Sequence, residues 1–163
     1  MKISLIKESL IIRKLLFYGS KNILGVLIRG TDYLKIKPIN HPIQPSSDIV
    51  IHDIKKMDKK NKYNWIFLST EDNIIRNKFI KEFGNKIKYL IPEKNIKYNQ
   101  KTFLAFNPGI AGNLEYMRTY LISIIILSKC IDIITSRTNG AAAAFIIKNG
   151  FYRNSLIYYL GNY

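Results

Sequence analysis

The chain has 163 residues, 47% hydrophobic and 23% charged, a size and balance that suit one globular domain with a sizeable core. Its single cysteine excludes a disulfide within the chain, and a net charge of +15 narrows the candidate partners to anionic ones: nucleic acid, a membrane surface or a phosphorylated substrate. Isoleucine, lysine and asparagine recur throughout, so the charge also reflects composition, and the basic run over 55–62 reads as a solvated helix end.

Residues 4–18 carry apolar side chains at helical spacing (Leu5, Ile6, Leu10, Ile11, Leu15, Leu16) and predict a helix, with Glu8 and Arg13 interrupting anything like a secretory signal. A first strand is predicted over 23–28, ending in Arg29, Gly30, Thr31 and Asp32. Residues 30–45, with Pro42 and Pro45, predict a loop, and Ser46 to Asp48 cap a helix running to about residue 60. The run 65–68 is a second strand that passes through Ser69, Thr70, Glu71 and Asp72 into a helix stopped by Gly84. A third strand is expected over 86–91, closed by Pro92, then a loop over 93–111. Residues 113–129 predict a buried apolar helix, and its apolar stretch 120–127 is too short to span a bilayer. A fourth strand over 131–134 leads through the polar turn Thr135 to Gly140 into an alanine-rich helix, 141–148, and a short strand is expected near 156–160.

Helices alternating with apolar strands predict an α/β fold: a mostly parallel sheet with helices on both faces. Three polar clusters then fall at carboxyl ends of strands, where open α/β sheets bind ligands. Of the chain's six arginines, Arg29 and Arg137 stand out because both end apolar strands. Arg29 is a fork-shaped cation suited to a phosphate, and its alternative role is a turn in which Asp32 is its partner. Glu71 and Asp72 open a helix, which capping alone accounts for. The amides near Thr138, Asn139 and Gly140 offer a phosphate cradle, the alternative being an N-cap on a packed helix. His41 and His52 stand apart from other ligand types and suggest no metal site, and Cys130 reads as a small buried apolar residue.

Taken in order, four stretches resemble the donor-binding carboxyl-terminal half of the fucosyltransferase superfamily, which includes the α1,6-, nodulation and protein O-fucosyltransferases. They are residues 25–32, 41–43, 66–72 and 127–139, and together they span most of the chain. Leu27, Gly30 and Tyr33 stand where that family commonly carries histidine, a second arginine and lysine.

The resemblance implies a Rossmann-like domain, 1–163, corresponding to one half of a GT-B fold, with the acceptor domain missing. It implies a GDP-sugar donor, usually GDP-fucose, inverting transfer to a glycan acceptor, and no cofactor or metal. Arg29 would hold the donor diphosphate as the catalytic cation. Asp32 would orient Arg29 or contact the donor, and Glu71 and Asp72 match an acidic pair beside it. Ser136, Arg137, Thr138, Asn139 and Gly140 complete the expected donor site. Further expectations are a second domain or self-association through the open cleft, no nucleic acid partner, a role in polysaccharide biosynthesis, and a cytoplasmic location at most peripheral to the inner membrane. Two other classes stay open: an inactive nucleotide-sugar-binding or interaction domain, and a basic nucleic-acid-binding domain. The latter needs exposed aromatics interleaved with basic residues, and most of the 11 tyrosines sit in the second half without that pattern.

Overall fold

The apolar runs become strands because each is covered by the helices that flank it. The structure, a computed structural model, describes residues 4–30, 33–34, 36–91 and 113–163. In chain order the elements are α1 (Leu5–Phe17), β1 (Ile23–Leu27), α2 (Ser47–Asn61), β2 (Trp65–Ser69), α3 (Asn73–Phe83), a 3-10 turn (Gly84–Lys86), β3 (Ile87–Lys88), α4 (Leu114–Ser128), β4 (Asp132–Ser136), α5 (Asn139–Lys148) and β5 (Ser155–Tyr158). The strands form one five-stranded sheet of order β3-β2-β1-β4-β5, and every neighbouring pair is parallel. The chain builds from β1 outward through β2 and β3, then crosses back to β4 and β5. The order therefore reverses between β1 and β4, which opens a crevice at their carboxyl ends.

Alternation along β1 divides the core between two faces. Leu24, Val26 and Ile28 pack with Val50 and Ile54 of α2 and with Ile75 and Phe79 of α3. Ile23 and Leu27 face the other way, toward Phe17 of α1, Ile124 and Leu127 of α4 and Ala144 of α5. Burying each large side chain contributes about 1.5–3 kcal/mol, so the two layers supply most of the driving force. Gly25, between them, lets α4 approach: a Cβ there would lie 3.0 Å from Leu127 and 3.2 Å from Cys130. Cys130 is buried, and desolvation pushes its thiol up to about 12, in keeping with a packing role.

Several boundaries differ from the sequence reading. The third strand is Ile87–Lys88 instead of 86–91, because Gly84 to Lys86 tighten into a 3-10 turn. The fourth extends to Ser136 and the helix after it starts at Asn139, because Thr138 is the cap. The last strand is Ser155–Tyr158. Within the predicted loop 30–45, Tyr33 and Leu34 take a helical turn, and both amides donate to Gly30 O. The predicted loop 93–111 lies outside the described residues. Among the described residues, no helix is long and apolar enough to cross a membrane.

Two features mark the amino end of the sheet. Trp65, the first residue of β2, has the Tyr18 ring 5.8 Å away and the Lys88 ammonium 4.4 Å from its own ring. Asp132, the first residue of β4, is fully buried and accepts from Arg153 Nε at 3.1 Å and Nη2 at 2.6 Å. It also accepts from Asn154 N at 2.8 Å, Asn154 Nδ2 at 3.2 Å and the Tyr63 hydroxyl. Burial alone would raise its pKa, but the bonds from Arg153, Tyr63 and Asn154 outweigh this and hold the carboxyl below the usual range.

Candidate functional site

Register sets the site. Leu27 of β1 pairs with Ser69 of β2 on one side and with Thr135 of β4 on the other. Two positions further along each chain segment, just past the strand ends, come Arg29, Glu71 and Arg137. The first two meet: Arg29 Nε lies 3.3 Å from Glu71 Oε1, with side chains 19% and 7% exposed. The Gly30 amide donates to the same Glu71 oxygen at 2.8 Å. The pair therefore ties the end of β1 to the end of β2, with part of the guanidinium open to solvent.

The guanidinium has other neighbours. Its Cζ lies 4.9 Å from the centre of the Tyr33 ring, and that ring meets His41 edge-on at 5.5 Å. Tyr120 on α4 lies near enough for the charges of Arg29 and Glu71 to act on its phenol. Burial raises the Tyr120 phenol above its ordinary value, while the Arg29 charge pulls it back. In the sequence Tyr120 carries no such signal, since an aromatic in an apolar helix reads as core.

Asp72 caps α3, its Oδ1 accepting from Ile74 N at 2.8 Å and Ile75 N at 3.2 Å. The acidic pair thus has two separate jobs, a cap at Asp72 and an ion pair at Glu71. Gly30 packs directly on this cap: a Cβ there would fall 2.5 Å from Asp72 Oδ2. Gly30→Ala is expected to cost about 1–3 kcal/mol through overpacking and a displaced cap. Urea unfolding measures this, and a variant as stable as wild type would contradict the close approach.

At the end of β4, Thr138 caps α5 by accepting from Ala141 N at 3.1 Å. Gly140 and Ala141 are buried, whereas Asn139 is exposed. Ser136 is buried and donates to Gln44 Oε1, which anchors the loop after β1 beside the site. Arg137 is exposed and stacks over Tyr159, its Cζ 4.5 Å from the ring centre, on the β5 side of the site. Asp32, expected as the partner of Arg29, lies outside the described residues. The structure thus brings together Arg29, Glu71, Tyr120 and the amino end of α5 around the crevice between β1 and β4. Among the described residues, no cluster of three or more histidine, cysteine, aspartate or glutamate side chains could hold a metal ion.

Strand order and site position define a Rossmann-like α/β domain with its polar residues at the switch point. No protein-family model and no curated protein matches the sequence. Solved structures do. An α-1,6-fucosyltransferase, NodZ, co-crystallised with GDP is 16% identical, with a TM-score of 0.53 over 87% of this chain and 41% of its own. The fucosyltransferase NodZ from Bradyrhizobium is 16% identical, with a TM-score of 0.54 over 96% of this chain and 44% of its own. POFUT1 in its apo form is 9% identical, with a TM-score of 0.56 over 93% of this chain and 46% of its own. The fold is fucosyltransferase-like, and the chain spans less than half the length of each of these structures.

Proposed function

We propose that this domain binds the GDP-sugar donor, GDP-fucose, of an inverting glycosyltransferase that needs no metal. The observation that carries the reading is the juxtaposition of Arg29 and the amino end of α5 at the crevice between β1 and β4. A guanidinium and a helix amino end both favour phosphate oxygens, by bidentate hydrogen bonds and by free amides aided by the helix dipole. A NodZ structure soaked with GDP-fucose, 17% identical to this chain, supports the choice of ligand.

In the proposed reaction the bond between the sugar carbon and the diphosphate oxygen breaks, while an acceptor hydroxyl bonds the opposite face of that carbon and loses its proton. Negative charge builds on the departing diphosphate. Arg29 and the α5 amides stabilise it there, and they do so more strongly than they bind the intact donor. The acceptor is a glycan. Leu114, Met117 and Leu121 are exposed along α4 beside Tyr120, which supports the reading that a further domain or a second copy covers this side.

Isothermal titration of the chain with GDP in EDTA tests the reading. Saturable binding, unchanged when magnesium replaces EDTA, is expected. A single-stranded oligonucleotide that binds while GDP does not would favour the nucleic-acid reading instead.

A further inference from the structure

The two edges of the sheet carry opposite charge. Each helix of this chain leads into a strand of one parallel sheet, so helix carboxyl ends and strand starts share an edge. At that edge α1, α2, α3 and α5 carry lysine in their last turns, as the helix dipole favours. The connectors that follow add Lys21, Lys62, Lys86 and Lys129. Among the described residues, the carboxylates at this edge are Asp58, Glu82 and Asp132, and each is paired, with Lys86, Lys55 and Arg153. Lys21, Lys62 and Lys129 are exposed and lie outside those pairs. At the opposite edge Glu8, Asp48 and Glu115 lie in first helical turns and Asp72 caps α3.

The basic edge also presents apolar side chains. Phe151, in the connector from α5 to β5, is 98% exposed although its neighbour Tyr152 is buried. Tyr18, which caps α1, is 80% exposed and meets Trp65, with the Lys88 ammonium over the indole. Leu15 and Ile146, in the last turns of α1 and α5, are exposed as well. Tyrosine and tryptophan beside lysine suit the headgroup layer of a bilayer, which takes an apolar ring and a polar tip together. Leu15 and Ile146 have nothing to stack on in a nucleic acid, whereas acyl chains bury them.

We propose that the amino edge of the sheet docks on an anionic phospholipid bilayer, with Tyr18 and Phe151 entering the headgroup layer and Lys21, Lys62 and Lys129 meeting lipid phosphates. The proposal does not rest on the donor reading. It sets an orientation: the crevice at the carboxyl ends lies roughly 17 Å away along the strands and faces the solvent, not the lipid. The charge asymmetry turns the domain this way up as it approaches a negative surface.

Co-sedimentation with phosphatidylcholine vesicles, alone or with an equal share of phosphatidylglycerol, tests it. The chain is expected to pellet with the anionic vesicles only, to be released by high salt, and to shift its Trp65 emission to shorter wavelength on binding. Lys21→Glu with Lys129→Glu should weaken binding at least about tenfold, since each cation near such a surface contributes about fivefold. Lys7→Glu with Lys37→Glu makes the same change in net charge at the start of α1 and in the loop after β1, away from the edge. It should weaken binding less than about threefold, because distant charges are screened. Phe151→Ser should weaken binding about tenfold without lowering the melting temperature, its ring being exposed in the free domain.

Equal loss in the two double variants would mark a diffuse charge effect and overturn the proposal, as would pelleting with no change in Trp65 emission. So would wild type that ignores anionic vesicles, whether it binds a single-stranded oligonucleotide through the same lysines or pairs with a second copy through Phe151 in analytical ultracentrifugation. GDP affinity should be equal in wild type and the Lys21 and Lys129 double variant, so the donor reading and this proposal fail separately.

Discussion

Arg29→Ala is expected to weaken GDP binding by about 2–4 kcal/mol, the loss typical when one partner of a buried charge-assisted pair is removed. The side chain is only 19% exposed, so water replaces its contacts poorly. Arg29→Lys should recover little: an ammonium is a point charge that cannot bond Glu71 and two phosphate oxygens in one plane. Arg29→Ala also takes a cation from beside Glu71, whose side chain is 7% exposed. Adding Glu71→Gln to Arg29→Ala should therefore restore melting temperature without restoring GDP affinity. Titration calorimetry on variants whose circular dichroism matches wild type separates the two effects. Wild-type GDP affinity in both Arg29 variants would refute the assignment.

The largest expected stability effect lies at the other end of the sheet. Asp132→Ala should cost about 3–5 kcal/mol, because Tyr63 and Asn154 lose a buried acceptor. The lower part of that range is favoured, since the Arg153 side chain is 43% exposed and can regain water. The pH dependence follows from the lowered pKa. The contribution of Asp132 is fully present above the unfolded-state value of about 3.9 and is lost as pH falls through the folded-state value below it. Asp132→Asn should remove that part of the acid limb. Urea unfolding between neutral pH and pH 3 checks it, and an unchanged acid limb in Asp132→Asn would show that another carboxylate is responsible.

Strands β1 and β2 are legible in the sequence because a short, unbroken apolar run between two helices fits a parallel strand buried on both faces, and β4 because its isoleucines stand in the same setting. Arg29 and Thr138 are legible for a related reason: polar residues in the turn that follows a buried strand must sit at its carboxyl end. The pairing of Arg29 with Glu71 is not, because it depends on β1 lying beside β2 in one register, and apolar runs carry no register. Asp32, nearer in sequence, is the partner that chain order alone suggests. Tyr120 is hidden among isoleucines, where only its hydroxyl distinguishes it from core. The Asp132 network is harder still, joining residues 69 and 21 positions apart. Its one sequence signal is an aspartate inside an otherwise apolar strand, where an unpartnered charge would be costly.

Trp65 is the chain's single tryptophan, and its place at the start of β2 has a practical consequence. At about 3.3 Å per residue, the strand carries it roughly 13 Å from the carboxyl edge where nucleotide is expected to bind. Its fluorescence, shaped by Tyr18 and Lys88, should therefore change when the sheet comes apart and stay constant when the crevice fills. Emission from this indole can follow unfolding in the presence of any nucleotide concentration, while occupancy has to be read from a label on the ligand.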